Sequence, residues 1–127
     1  MSTLNVSNIT DGTTTLATSY VVNGSAKAWA AYSQTGTQSI RNSQNISSIT
    51  DLGTGISEFA IISSFANANW AHVACSGELS GGGNRSVGLT GAFGALTSSK
   101  AIFRNFLLTN TSNDDDGLAF ALMGELA

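Results

Sequence analysis

His72 and Cys75 are the chain's only histidine and only cysteine, and they are its strongest base and nucleophile types. A thiolate–imidazole pair needs both groups on one side of the backbone, within hydrogen-bond reach. The residues around them, Trp70 to Ser76, alternate as a strand does, and side chains on a strand alternate faces. Their three-residue spacing then puts the two groups on opposite faces. The reading is a small buried thiol and a polar histidine, not a dyad. With no second histidine, neither a Ser-His-Asp variant nor a zinc site has its parts.

Asn113-Asp114-Asp115-Asp116-Gly117 is the next candidate, because closely spaced carboxylates can hold calcium. Set as an EF-hand loop from Ser112, Asp114 and Asp116 fall at the third and fifth positions and Gly117 at the sixth. The twelfth position needs a bidentate Glu and is Met123. An acidic hairpin tip kept in water is the default, with calcium binding outside the EF-hand pattern as the alternative. Gly81-Gly82-Gly83 lacks the Gly-Lys-Ser/Thr of a phosphate cradle, and Gly88, Gly91 and Gly94 have no downstream acidic ribose ligand. Asp51, Glu58 and Glu78 are too dispersed for a glycoside-hydrolysing pair. Six Asn-x-Ser/Thr triplets, at Asn5, Asn8, Asn23, Asn45, Asn84 and Asn110, are what a chain so rich in these residues carries by chance. The expectation is a protein that is no enzyme and takes no cofactor or metal.

The composition points the same way. Charged residues make up 10% of the chain, against a usual fraction of about 25%. Ser, Thr, Asn and Gly must supply the polar surface, a pattern of extracellular and virion β proteins. The net charge is −3, and Lys27, Arg41, Arg85, Lys100 and Arg104 are scattered, which argues against nucleic acid as a partner. No apolar run approaches the ~18 residues of a membrane span. Residues 1–5 show no basic or apolar leader, so synthesis in a cytoplasm without standard export is expected.

The elements that must position these groups are strands. Alternating segments occur at 26–32, 37–42, 45–50, 56–63, 70–76, 85–91, 101–108 and 118–123. Between them lie turn clusters at 34–36, 51–55, 80–84 and 110–117, built from Gly, Asn and Asp in a chain with no proline. This predicts an all-β chain: an antiparallel β-sandwich of about eight strands, jelly-roll-like, over residues 26–127. A short helical turn is placed at 92–99. Residues 1–25 are Thr- and Ser-rich with little core of their own, an N-terminal arm that is either disordered or pinned to a partner. Trp29 and Trp70, lying in strand patterns, are assigned to the core.

Both faces of 118–123 are apolar, as is much of 101–108. That suggests a face packed on another subunit, against the alternative of Ala-rich faces tolerated in water. Phe103, Phe106, Leu118, Phe120 and Met123 are the candidate trimer contacts. Leu4, Val6, Ile9, Tyr20, Val21 and Val22 are the candidate contacts of the arm. Asn84, Arg85, Asn113, Asp114, Asp115 and Asp116 are the candidate exposed tips. One further pattern is duplicated: NVSNITDGT at 5–13 returns as NISSITDLGT at 45–54. With no third copy, this is one piece of Asp-Gly turn chemistry used twice. The second copy is expected to pair within the chain and the first with a partner.

SAKAWAAY (25–32), GTQSIRNSQNISSITDLGTG (36–55) and ANANWAHVA (66–74) together resemble a recurrent domain of bacteriophage tail-fibre and other virion-surface proteins. The opening STLNVSNITDGT and the closing LAFALMG extend the likeness across most of the chain. The resemblance implies a β-sandwich that forms a homotrimer on a phage particle. Gln44, where an aromatic is common, Leu52, where a polar turn residue is usual, and the missing proline near Asn67 depart from the pattern. These differences put any inherited receptor specificity in doubt. A tail fibre also needs an attachment module and a long shaft, whereas about 25 polar residues precede this sandwich. The expected role is therefore a trimeric capsid cement or decoration protein. It would sit on the outer capsid surface and reinforce the shell through the major capsid protein, its tips free to meet host surface polysaccharide. A receptor-binding tip carried by a separate fibre shaft is the alternative.

Overall fold

The computed structural model describes residues 6–10, 12–77, 85–107 and 112–127. In chain order the elements are β1 (Asn8–Thr10), β2 (Thr15–Ala17), α1 (Thr18–Gly24), β3 (Ala26–Ser33), β4 (Ser39–Gln44), β5 (Ile46–Gly53), β6 (Ile56–Ile61), β7 (Ala71–Ser76), β8 (Arg85–Leu89), β9 (Lys100–Leu107) and β10 (Leu118–Met123). β1 and β2 form a hairpin of their own. The other strands make two four-stranded sheets, ordered β4-β3-β10-β7 and β5-β6-β9-β8. Every pairing among the described residues is antiparallel. These eight strands fall on the segments whose alternation marked them. A jelly roll sends most successive strands to opposite sheets; here β3–β4, β5–β6 and β8–β9 each pair within one sheet.

The two sheets close on one another because alternate residues of each are apolar. Ala28, Ala30 and Tyr32 from β3 and Leu118, Phe120 and Leu122 from β10 face Phe59 and Ile61 from β6 and Ala101 and Phe103 from β9. An aromatic cluster sits at the centre. Phe103 and Phe120 stack with centroids 4.4 Å apart, while Phe59 meets Phe120 at 4.7 Å and Tyr32 at 4.8 Å, both edge-on. Offset-stacked and edge-to-face pairs of this kind add to the burial of the rings themselves. Three of the five expected trimer contacts belong to the core: Phe103, Leu118 and Phe120 are 0–4% exposed within one chain. The reason is parity. On β9 the odd set, with Phe103, and on β10 the even set, with Leu118 and Phe120, are the sets turned inward, so these side chains are buried within one chain.

The chain crosses between sheets at Asn45, the described residue other than glycine with positive φ, at 59°. Its side-chain amide donates to the Ser63 carbonyl (3.0 Å) and accepts from the Ser63 N–H (2.7 Å), which fixes the corner. Asparagine tolerates the left-handed region better than other residues with a Cβ. The second ITD stretch then forms the β5–β6 hairpin, with Asp51 Oδ1 accepting from the Gly53 N–H at 2.8 Å. The first stretch also closes on itself, because β1 pairs with β2 in register Ile9↔Leu16. Its pairing is intramolecular, contrary to the expectation of a partner.

Two local assignments change. Residues 92–99 form turns rather than a helix; Gly94 sits at φ +147, and a Cβ there would come 3.2 Å from Ile102 Cδ1. A helix occurs instead at 18–24, where none was expected. Thr18 anchors its start through N–H and Oγ1 bonds to the Ser7 carbonyl, at 2.9 and 3.0 Å. At seven residues with two adjacent valines, it owes little to propensity.

Candidate functional site

The two sheets present unlike outer faces. On β5-β6-β9-β8 that face is polar: Glu58 pairs with Lys100 at 3.2 Å, and the Arg104 guanidinium lies 5.5 Å over the Phe106 ring. Phe106, one of the expected trimer contacts, is therefore half-buried beneath Arg104. The loop at 90–99 packs over Ile102, which is fully buried on the same face.

The outer face of β4-β3-β10-β7 is different. The register sets two rows across it: Gln44, Trp29, Ala121, Val73, and then Asn42, Ala31, Ala119, Cys75. Met123, the fifth expected contact, continues the outward set of β10 opposite Ala71. Val73 is 58% exposed, and Cys75 is exposed as well. The buried thiol expected from the sequence is thus overturned: β7 is an edge strand, and its odd residues face away from the core. Trp29 is also outside the core. Its indole N–H donates to Gln44 Oε1 at 2.9 Å, which holds the ring across β4 and β3. Beside it, a shallow apolar groove runs between β7 and β10, lined by Val73, Cys75, Ala119 and Ala121.

A second apolar surface lies on the hairpin and helix that precede the sandwich. Val6, Ile9, Leu16, Tyr20, Val21 and Val22 are all at least 40% exposed, and Tyr20 reaches 70%. Exposed apolar side chains gathered on one element are a feature that interaction surfaces share. Leu4, the remaining expected arm contact, lies outside the described residues.

The end of the sandwich near the acidic loop is polar and closed. The Gln34 amide donates to Ser57 Oγ (2.9 Å), whose hydroxyl donates to Gln38 Oε1 (2.6 Å). Asp114 Oδ1 accepts from the Gly55 N–H at 2.6 Å, and the Asn105 amide donates to the Asn113 carbonyl at 2.8 Å. The loop is therefore strapped to the β5–β6 turn, not held out in water. Among the expected tips, Asp114 is exposed, Asn113 and Asp116 are half-buried, and Asp115 is 2% exposed. Asn84 and the side chain of Arg85 lie outside the described residues, as do Gly81–Gly83.

Tyr32 ends in the same region, fully buried, with a hydroxyl that has no hydrogen-bond partner among the described residues. Burial, then the nearby Asp115 and Cys75, raise its phenol well above the ordinary tyrosine value. The folded state thus disfavours the phenolate. Stability is complete below the unfolded pKa near 10 and falls as pH rises through that value towards the folded one. Tyr32→Phe removes both the orphan hydroxyl and this alkaline loss. The variant is expected to match or exceed wild type by up to about 1 kcal/mol at neutral pH and to lose less stability above about pH 10. Urea unfolding at the two pH values tests this; a variant destabilised by more than about 1 kcal/mol would show that the hydroxyl is bonded.

His72 and Cys75 do lie on opposite faces of β7. The imidazole meets the Phe103 ring at 6.2 Å, whereas the thiol faces out. No group of three or more His, Cys, Asp or Glu that could hold a metal ion occurs among the described residues. Trp70 is packed on Phe65, with ring centroids 6.0 Å apart, and belongs to the core, as read from the sequence. What the surface offers is contact area, in two apolar patches. No family model, curated protein or solved structure matches the chain.

Proposed function

We propose that this chain is a bacteriophage virion protein, a trimeric cement or decoration protein that binds the outer capsid surface. The observation that carries the reading is a sandwich bearing two separate exposed apolar surfaces: a sheet face whose centre lacks charged side chains and a hairpin–helix arm. Two adhesive surfaces on one small domain suit a protein that holds to its own copies and to a lattice at once. Linking three weak contacts through one trimer raises avidity by effective concentration, without any new contact. The arm's side chains are the capsid-binding group in this scheme, and the sandwich end with Asp114 points outward.

Deleting residues 2–18 removes β1, β2 and the start of α1. The sandwich core contains none of these residues, so the truncated protein is expected to fold. It is expected to lose binding to emptied capsids by at least about tenfold in co-sedimentation, since several apolar anchors disappear together. Unchanged binding would remove the arm from the scheme. Binding of the intact protein to host cells but not to capsids would replace the whole reading with that of a receptor-binding fibre tip.

A further inference from the structure

We propose that the outer face of the β4-β3-β10-β7 sheet is the surface through which this chain binds a second copy of itself. The proposal rests on the homotrimer reading above and adds the surface that would make it.

Charge is the first argument. The two rows through Trp29 and Ala31 contain no ionisable carboxylate, ammonium or guanidinium group; Lys27 stands at one corner of the face, and the exposed Arg41 lies at its β4 edge, at the bulge beside Asn42. Depletion of charge is what distinguishes the buried centre of an interface from ordinary surface. The chain carries a net −3, so copies repel unless they meet where the charges are not. The opposite sheet face carries Glu58, Lys100 and Arg104 and does not meet that condition.

Shape is the second. A half-exposed indole at Trp29 stands beside the groove formed by Val73, Cys75, Ala119 and Ala121. A projection on the β4–β3 side and a hollow on the β10–β7 side suit a head-to-tail contact, in which each copy seats its ring in the hollow of the next and three copies close a ring. The small side chains at Ala31, Ala119 and Ala121 leave room for that approach, and Gln44 keeps the indole N–H bonded while it is buried.

Area is the third, and it sets the strength. Four strands about 4.8 Å apart and six residues of about 3.3 Å span a face of roughly 400 Å². Two such faces give about 800 Å². That is below the ~1,200 Å² at the lower end for specific complexes, in the range of weak contacts. Association in solution is accordingly weak, with a dissociation constant on the order of micromolar.

Sedimentation equilibrium of the full chain from about 1 to 500 μM tests the proposal beside two variants. Ala121→Arg places an unpaired cation in the centre of the face and is expected to weaken self-association about 100-fold or more. Thr50→Arg, on an exposed position of the other sheet, is expected to leave it unchanged. Maleimide labelling of Cys75 gives a readout that needs no variant: the thiol is expected to react quickly in dilute protein and to be protected once copies associate. If Ala121→Arg fails to fold by circular dichroism, this protection decides alone. A wild type monomeric throughout the range overturns both the proposal and the homotrimer reading. Self-association that persists in Ala121→Arg, with Cys75 labelled at the monomer rate, overturns the face and leaves the oligomer standing.

Discussion

Gly55→Ala is expected to destabilise the protein by about 3 kcal/mol or more, while Gly36→Ala costs about 1 kcal/mol. Both glycines have left-handed φ, +69° at Gly55 and +70° at Gly36. That conformation alone costs a residue with a Cβ about 1–2 kcal/mol. The difference lies in what surrounds them. A Cβ at Gly36 meets nothing within 4 Å, whereas one at Gly55 would sit 2.6 Å from the Asn105 carbonyl oxygen and 2.7 Å from the N and O of Asn113. All three are backbone atoms, so no side chain can swing aside. Moving them would also break the Asn105 N–H bond to the Gly55 carbonyl (2.7 Å) and the Gly55 N–H bond to Asp114 (2.6 Å). Chemical denaturation of the two variants and wild type measures the gap. Equal losses would mean that the 113–115 segment yields freely and does not strap the end of the sandwich.

That strap was not legible from the sequence, and the reason is physical. Asn113–Gly117 reads as a solvated tip because its residues are acidic and contiguous, and pattern alone carries no information about long-range partners. Gly55 and Asp114 are 59 residues apart in the chain, and their bond depends on how β9 docks on β6. The eight sandwich strands were legible, since alternation is a local signal and most of them turn one of two alternating sets inward. So was the position of the β5–β6 hairpin, where Asp51 bonds the Gly53 N–H within the turn. The helix at Thr18–Gly24 was hidden for the opposite reason: Tyr20, Val21 and Val22 carry no helical preference, and the bonds from Thr18 to Ser7 that start it depend on the hairpin.

The apolar surface was half legible. Alternation in 118–123 and 101–108 showed that apolar residues fall on both faces of these strands. It could not say which face looks inward, because Ala119, Ala121 and Met123 are as apolar as Leu118, Phe120 and Leu122 by type. Volume was the available discriminator. The inner set holds the large residues, Leu118, Phe120 and Leu122, and the outer set holds alanines beside a methionine. Choosing the largest side chains as intersubunit contacts therefore selected the core. Trp29 was misassigned by the same preference: Ala28 and Ala30 take the inward positions of β3, and the indole lies outside on Gln44.

Phe120→Ala is the substitution that separates these two roles. Phe120 touches three other rings: it stacks on Phe103 at 4.4 Å, meets Phe59 edge-on at 4.7 Å and lies 6.1 Å from Tyr32. It is 4% exposed, so truncation opens a cavity that backbone on both sheets prevents from collapsing. The expected loss is about 3–5 kcal/mol, a large share of the ~5–15 kcal/mol that holds a typical domain. Met123→Ala, one turn of the alternation away on the outer face, is expected to change the stability of the single chain by less than about 1 kcal/mol. Urea unfolding in dilute protein, where self-association contributes nothing, isolates the intrachain term. If Phe120 were an intersubunit contact, its truncation would be nearly silent under those conditions and costly only as concentration rises. A core ring gives the reverse: a loss of full size in dilute protein that does not depend on concentration.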